Sequence, residues 1–91
     1  MTMYFTTRPE DVFSAVAQHT GIAEDLILSP SRSYRVVAAR WLTIRLLADS
    51  CHMSQGAIGR IVHLDPSSVS YQYNRPRPEL YEDLAAVKAE L

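Results

Sequence analysis

Apolar residues recur along the chain at helical spacing, and no stretch alternates with the period of two that a strand requires. Val12, Phe13, Val16 and Ala17 predict a first helix over about Arg8 to His19. Thr7-Arg-Pro-Glu10 reads as its capping box, with Thr7 accepting from the Glu10 amide, Pro9 in the first turn and Gly21 as the stop. A short helical turn over about Ala23 to Leu28 precedes Ser29-Pro-Ser31. Val37, Trp41, Ile44 and Ala48 fall at i, i+4, i+7 and i+11, the core stripe of a long helix over about Arg32 to Ser50. Arg32, Arg35, Ala39 and Thr43 share its opposite side, so this pattern aims them away from the core.

Two short helices follow, over about Gln55 to Val62 and Pro66 to Asn74, and together they read as a helix-turn-helix. Ser54 is a good N-cap, and Ile58, Val62, Leu64 and Val69 supply the apolar contact between two crossed helices. Gly59 is expected where the helices approach most closely. His63 occupies the turn, where a left-handed backbone is usual and histidine is among the tolerated types. Asp65-Pro66 caps and opens the second helix. That helix turns Val69 and Tyr73 inward and shows Ser67, Ser68, Ser70, Tyr71 and Asn74 to solvent. Pro76 and Pro78 then break the chain, with Arg77 between them. A last amphipathic helix, about 79–91, carries Leu80, Leu84, Val87 and Leu91 on one face. At just over three turns it is short for an independent coiled coil, so folding back is favoured over dimerisation. The expected fold is all-α: residues 1–91 as one compact domain of five to six helices, with the helix-turn-helix at about 54–74.

Charge changes this picture. The net charge of −1 disguises a segregation. Residues 29–77 hold Arg32, Arg35, Arg40, Arg45, Arg60, Arg75 and Arg77 against Asp49 and Asp65, a net of +5, while the segments on either side each carry −3. Every cation of that middle stretch is arginine, the side chain suited to forked contacts with phosphates and bases. Arginines at a helix N-terminus oppose the helix dipole at about 0.3–1 kcal/mol each, which fits a need for positive charge there.

Other chemistry is poorly supported. The single cysteine, Cys51, has no partner, which suits a reducing cytoplasm. The chain has no apolar run of membrane-spanning length, and its first residues lack the pattern of an export signal. Cys51, His52, His63 and His19 match no common zinc spacing, and the serines of 67–70 lack a paired base. No Gly-x-x-x-x-Gly-Lys-Ser/Thr loop is present to cradle a nucleotide, so neither an enzyme nor a cofactor is expected.

The Met53–Tyr71 segment resembles the helix-turn-helix of bacterial regulators, of the Trp-repressor-like kind. A longer stretch, from about Val12 to the C-terminus, resembles the C-terminal duplex-binding domain of the bacterial replication initiator DnaA. Gly21-Ile-Ala-Glu-Asp-Leu-Ile-Leu-Ser29 resembles its lead-in turn, and Ser31-Arg32 with Val36-Val-Ala-Ala-Arg40 its long basic helix. Ile58-Gly-Arg60 is similar to its Ile-Gly pair, and Pro78-Glu-Leu-Tyr-Glu-Asp-Leu84 to its closing helix. The resemblance implies a minor-groove role for Arg32 and a backbone-phosphate role for Arg40. It also implies that Asp65, Pro66, Ser67 and Ser68 match the Asp-His-Thr-Thr signature that reads bases in the major groove. Only the aspartate is kept; Leu64 replaces the preceding arginine, and the turn is one residue shorter.

The candidate DNA-binding set is therefore Arg32, Arg35, Arg40, Ser54, Asp65, Pro66, Ser67, Ser68, Ser70, Tyr71, Asn74, Arg75 and Arg77. Its expected partner is double-stranded DNA, bound sequence-specifically by a cytoplasmic regulator of replication or transcription, with oligomeric state open. The rival is a protein-interaction module on the same scaffold, an adaptor or inhibitor docking on another replication or regulatory protein. Salt separates the two, since phosphate contacts release counterions and apolar association does not.

Overall fold

A computed structural model describes residues 7–91. The opening Met1–Thr6 segment, read above for an export signal, lies outside the described residues. The elements are α1 (Pro9–Thr20), α2 (Glu24–Ile27), α3 (Tyr34–Asp49), α4 (Gln55–Val62), α5 (Pro66–Asn74), a 3-10 turn (Pro78–Leu80) and α6 (Tyr81–Ala89). Among the described residues there is no strand, as the missing period-two pattern predicts.

Local signals set most of the boundaries. Pro9 opens α1, and Gly21 closes it at φ 74°, its amide donating to the Ala17 carbonyl. The cap itself differs from the expected one. Arg8, not Thr7, holds the N-cap position, and its amide donates to the Asp11 carboxylate at 3.1 Å. The first-turn acid three residues on therefore does the capping, one residue later in register than the Thr7–Glu10 box. The long helix also starts late, at Tyr34 with Ser33 as its N-cap, which leaves Arg32 in the preceding loop.

α3 is the centre of the molecule, and α1, α2, α4, α5 and α6 all pack on it. Its buried residues run nearly all round: Val36, Ala38, Ala39, Trp41, Leu42, Thr43, Ile44, Leu46 and Leu47. Ala39 and Thr43 are thus core residues, contrary to the solvent-facing side assigned from a single stripe. Five packing partners require more than one apolar face, and small residues there let the neighbours approach. Thr43 satisfies its hydroxyl locally by donating to the Ala39 carbonyl at 2.9 Å.

The helix-turn-helix is anchored to this axis at the middle and the C-terminal end of α5. Val69 is fully buried. The fully buried Trp41 donates its indole N–H to the Arg75 carbonyl at 3.0 Å, so the largest core side chain also holds the end of α5. Tyr73 donates its hydroxyl to Asp49 at 2.7 Å, and the Arg45 guanidinium lies between the Tyr73 and Trp41 rings, 4.8 and 5.3 Å from their centroids. The last helix folds back on α1 and α3, with Val87 buried, His19 and Asp83 2.8 Å apart, and Tyr34 donating to Glu79 at 2.9 Å. Leu91 stays partly exposed at its end.

Candidate nucleic-acid interface

Backbone chemistry shapes the helix-turn-helix. The Ser54 hydroxyl accepts from the Ala57 amide and starts α4. His63 then takes the left-handed conformation, φ 61° and ψ 40°, which turns the chain after Val62. The Gly59 carbonyl accepts from the Leu64 amide at 3.0 Å. A Cβ on Gly59 would collide with the Leu64 carbonyl oxygen, and would meet a Val69 methyl only at 3.6 Å. The glycine is needed chiefly because the turn backbone folds onto α4, and only secondarily because α5 crosses nearby. Asp65 caps α5 by accepting from the Ser68 amide at 2.7 Å and the Ser67 hydroxyl at 2.8 Å.

The Ser68 amide, then the Ser67 hydroxyl, holds the Asp65 carboxyl below its ordinary range. Because the folded value is depressed, the stabilisation is present above the unfolded value and fades as pH falls through the folded one. In an Asp65→Asn variant the side-chain amide oxygen still caps the helix but does not titrate. Wild type is therefore expected to lose its thermal advantage over Asp65→Asn as pH falls below the ordinary carboxylate value of about 4. A constant difference in melting temperature across that range would contradict this account of the cap.

A cleft runs between the loop ahead of α3 and one side of α5. Arg32, Ser67, Ser68, Tyr71, Gln72 and Arg75 line it, residues separated by more than 30 positions and brought together only by the packing of α5 on α3. Leu28, Val37, Val62 and Leu64 supply its apolar surface. Three arginines line it and no carboxylate does, so the net −1 of the chain says little about this surface. Tyr71 is 61% exposed, and the Arg75 guanidinium lies 6.0 Å from its ring centroid. The Arg75 carbonyl is tied to Trp41, while its exposed side chain lies along Tyr71 with Nη1 donating to the Tyr71 hydroxyl at 3.4 Å.

The remaining expected residues divide. Arg40 also lines the cleft, but its guanidinium is bonded to the loop ahead of α3. Its Nε donates to the Ile27 carbonyl at 2.9 Å, Nη1 and Nη2 to the Ser31 carbonyl at 3.3 Å, and Nη2 also to the Ser29 carbonyl. Partial burial shifts its pKa downward. These bonds hold the loop that carries Arg32, and they differ from the phosphate contact implied by resemblance. Arg77 is buried, 7% exposed, although Pro76 and Pro78 on either side of it are exposed, so its side chain turns into the bundle rather than toward a ligand. Arg35 is exposed but does not line the cleft, since two residues of helix put it about 200° round α3 from Val37.

Ser54 serves as a cap outside the cleft lining. Pro66 is exposed at the first position of α5. Asn74 donates to the Ser70 carbonyl at 2.9 Å, and the pair occupies a second polar strip of α5 beside the cleft-facing one. Sequence reasoning missed Gln72, whose Oε1 is buried without a hydrogen-bond partner, and His63, which lines the cleft from the turn. Ser68, Tyr71, Gln72 and Arg75 fall at i, i+3, i+4 and i+7, a spacing that would have identified Gln72.

Among the described residues no group of three or more His, Cys, Asp or Glu is placed to hold a metal ion, and no helix is long and apolar enough to cross a membrane. Cys51 is partly buried, and that burial, ahead of the charges of Asp11 and Glu10, raises its thiol pKa. The family model described as bacterial dnaA protein helix-turn-helix matches residues 9–75. The match begins ahead of Val12 and ends before Pro78–Leu84, so the resemblance to a closing helix falls outside it. No curated protein matches the chain.

Proposed function

This chain belongs to the family of bacterial DnaA helix-turn-helix domains, a DNA-binding family, and from that membership we propose that it binds duplex DNA sequence-specifically as a regulator of replication or transcription. In this reading the N-terminal end of α5 enters a major groove. Ser67, Ser68 and Tyr71 face base edges, Arg75 holds a phosphate, and Arg32 reaches from its loop toward the flanking minor groove. The supporting observation is the single cleft that gathers Arg32 and the Ser67–Arg75 strip with no carboxylate in its lining. A polyanion is the partner that such a surface favours.

Selection from random duplexes, followed by anisotropy titrations at several salt concentrations, tests the proposal. Arg75→Ala is expected to weaken every sequence about tenfold and to flatten the plot of log affinity against log salt by about 0.9. Arg35→Ala removes another exposed cation that lies outside the cleft, and it should leave that slope almost unchanged. Enrichment of no duplex, or equal effects of the two variants, would count against this function and favour docking on a protein.

A further inference from the structure

Ser67 lines the cleft, whereas Asp65 stands beside it outside the lining. Their oxygens are 2.8 Å apart. An ionised carboxylate can only accept, and a serine hydroxyl has one proton and two lone pairs. The Ser67 proton must therefore point at Asp65. The Ser68 amide, 2.7 Å from the same carboxylate oxygen, fixes that oxygen in place. What Ser67 can offer to anything entering the cleft is a lone pair. A free serine reads donors and acceptors alike, but this one is polarised by its neighbour.

We infer that Ser67, in the major-groove docking proposed above on which this rests, is an obligate hydrogen-bond acceptor that selects adenine or cytosine over guanine or thymine on the strand it faces. Adenine N6 and cytosine N4 present amino donors in the major groove. Guanine O6 and thymine O4 present acceptors there, and would meet Ser67 lone pair to lone pair. Asp65 acts through Ser67 as a positioning residue.

The test begins with duplexes enriched by wild-type protein and locates the base whose preference is lost in Ser67→Ala. Every base pair holds one adenine or cytosine, so the position alone decides nothing and that base's amino group is tested directly. Deleting its exocyclic amino group, with purine for adenine or pyrimidin-2-one for cytosine, should weaken wild type roughly five- to tenfold and Ser67→Ala less than about twofold. Asp65→Asn keeps a capped helix, with unchanged circular dichroism. Its neutral side chain binds the hydroxyl less strongly, so it should narrow the amino-over-keto preference without changing the salt slope. The inference is overturned if deleting that amino group weakens wild type and Ser67→Ala equally, if Ser67→Ala changes no position, or if Asp65→Asn leaves the preference intact. Failure to enrich any duplex removes the docking mode itself, a result distinct from these three.

Discussion

Replacing Gly59 with alanine is expected to cost about 3 kcal/mol or more, while the same change at Gly56, one turn earlier in the same helix, stabilises by a few tenths to about 1 kcal/mol. Helix propensity favours alanine at both positions, because glycine loses more backbone freedom on folding. Surroundings reverse the sign at one of them. A Cβ at Gly56 meets nothing within 4 Å. At Gly59 it runs into the Leu64 carbonyl oxygen, a backbone atom held by the turn, so relief requires moving the start of α5 rather than rotating a side chain. A domain of this size is stable by about 5–15 kcal/mol, so the loss is a large fraction of the total. Urea unfolding of both variants measures the contrast. Shifts of the two midpoints in the same direction would show that the turn yields more readily than its geometry implies.

Arg40→Ala is expected to destabilise the fold by about 2–4 kcal/mol and to weaken DNA binding about tenfold, with no change in salt slope. The loss of stability follows from the carbonyls of Ile27, Ser29 and Ser31, which share one guanidinium. Removing it leaves three acceptors and a loop without a fastening. The loss of affinity follows from Arg32, which must then be ordered on binding instead of being held beforehand. The slope counts cations brought to the phosphates, so if Arg40 stays bonded to its loop in the complex the same counterions are released. Arg40→Lys should recover little, because an ammonium lacks the planar fork that reaches several carbonyls. A flattened slope in Arg40→Ala, like that of Arg75→Ala, would mean that Arg40 leaves the loop and contacts DNA directly.

The helix-turn-helix was the most legible part of the chain. The bounds of α4 and α5, the Ser54 and Asp65 caps, the His63 turn and the inward Val69 all follow from residues within about four positions of each other. The candidate site was legible in composition but not in membership. Arg32, Arg40, Ser67, Ser68, Tyr71 and Arg75 line one cleft, yet Arg40 bonds to loop carbonyls there and Arg77 is buried, and neither looks different in the sequence from Arg75. Ser70 and Asn74 share the polarity of Ser67 and Tyr71 while lying on another strip of the same helix. Their separation needed the rotational position of α5 against α3, which Trp41 and Asp49 of α3 set through their hydrogen bonds to Arg75 and Tyr73.

Capping, the left-handed turn and the 3.6-residue period are short-range effects, and their rules can be applied to neighbouring residues alone. Helix number, the two-helix DNA-binding unit and the basic middle of the chain were accordingly readable before any coordinates. The fate of each arginine was not, because a guanidinium turns inward or outward according to acceptors that the fold delivers. For Arg40 those acceptors lie 9 to 13 positions away in the chain. Burial and partner choice depend on which distant surfaces meet, and that is information carried by the packed chain rather than by any local run of residues.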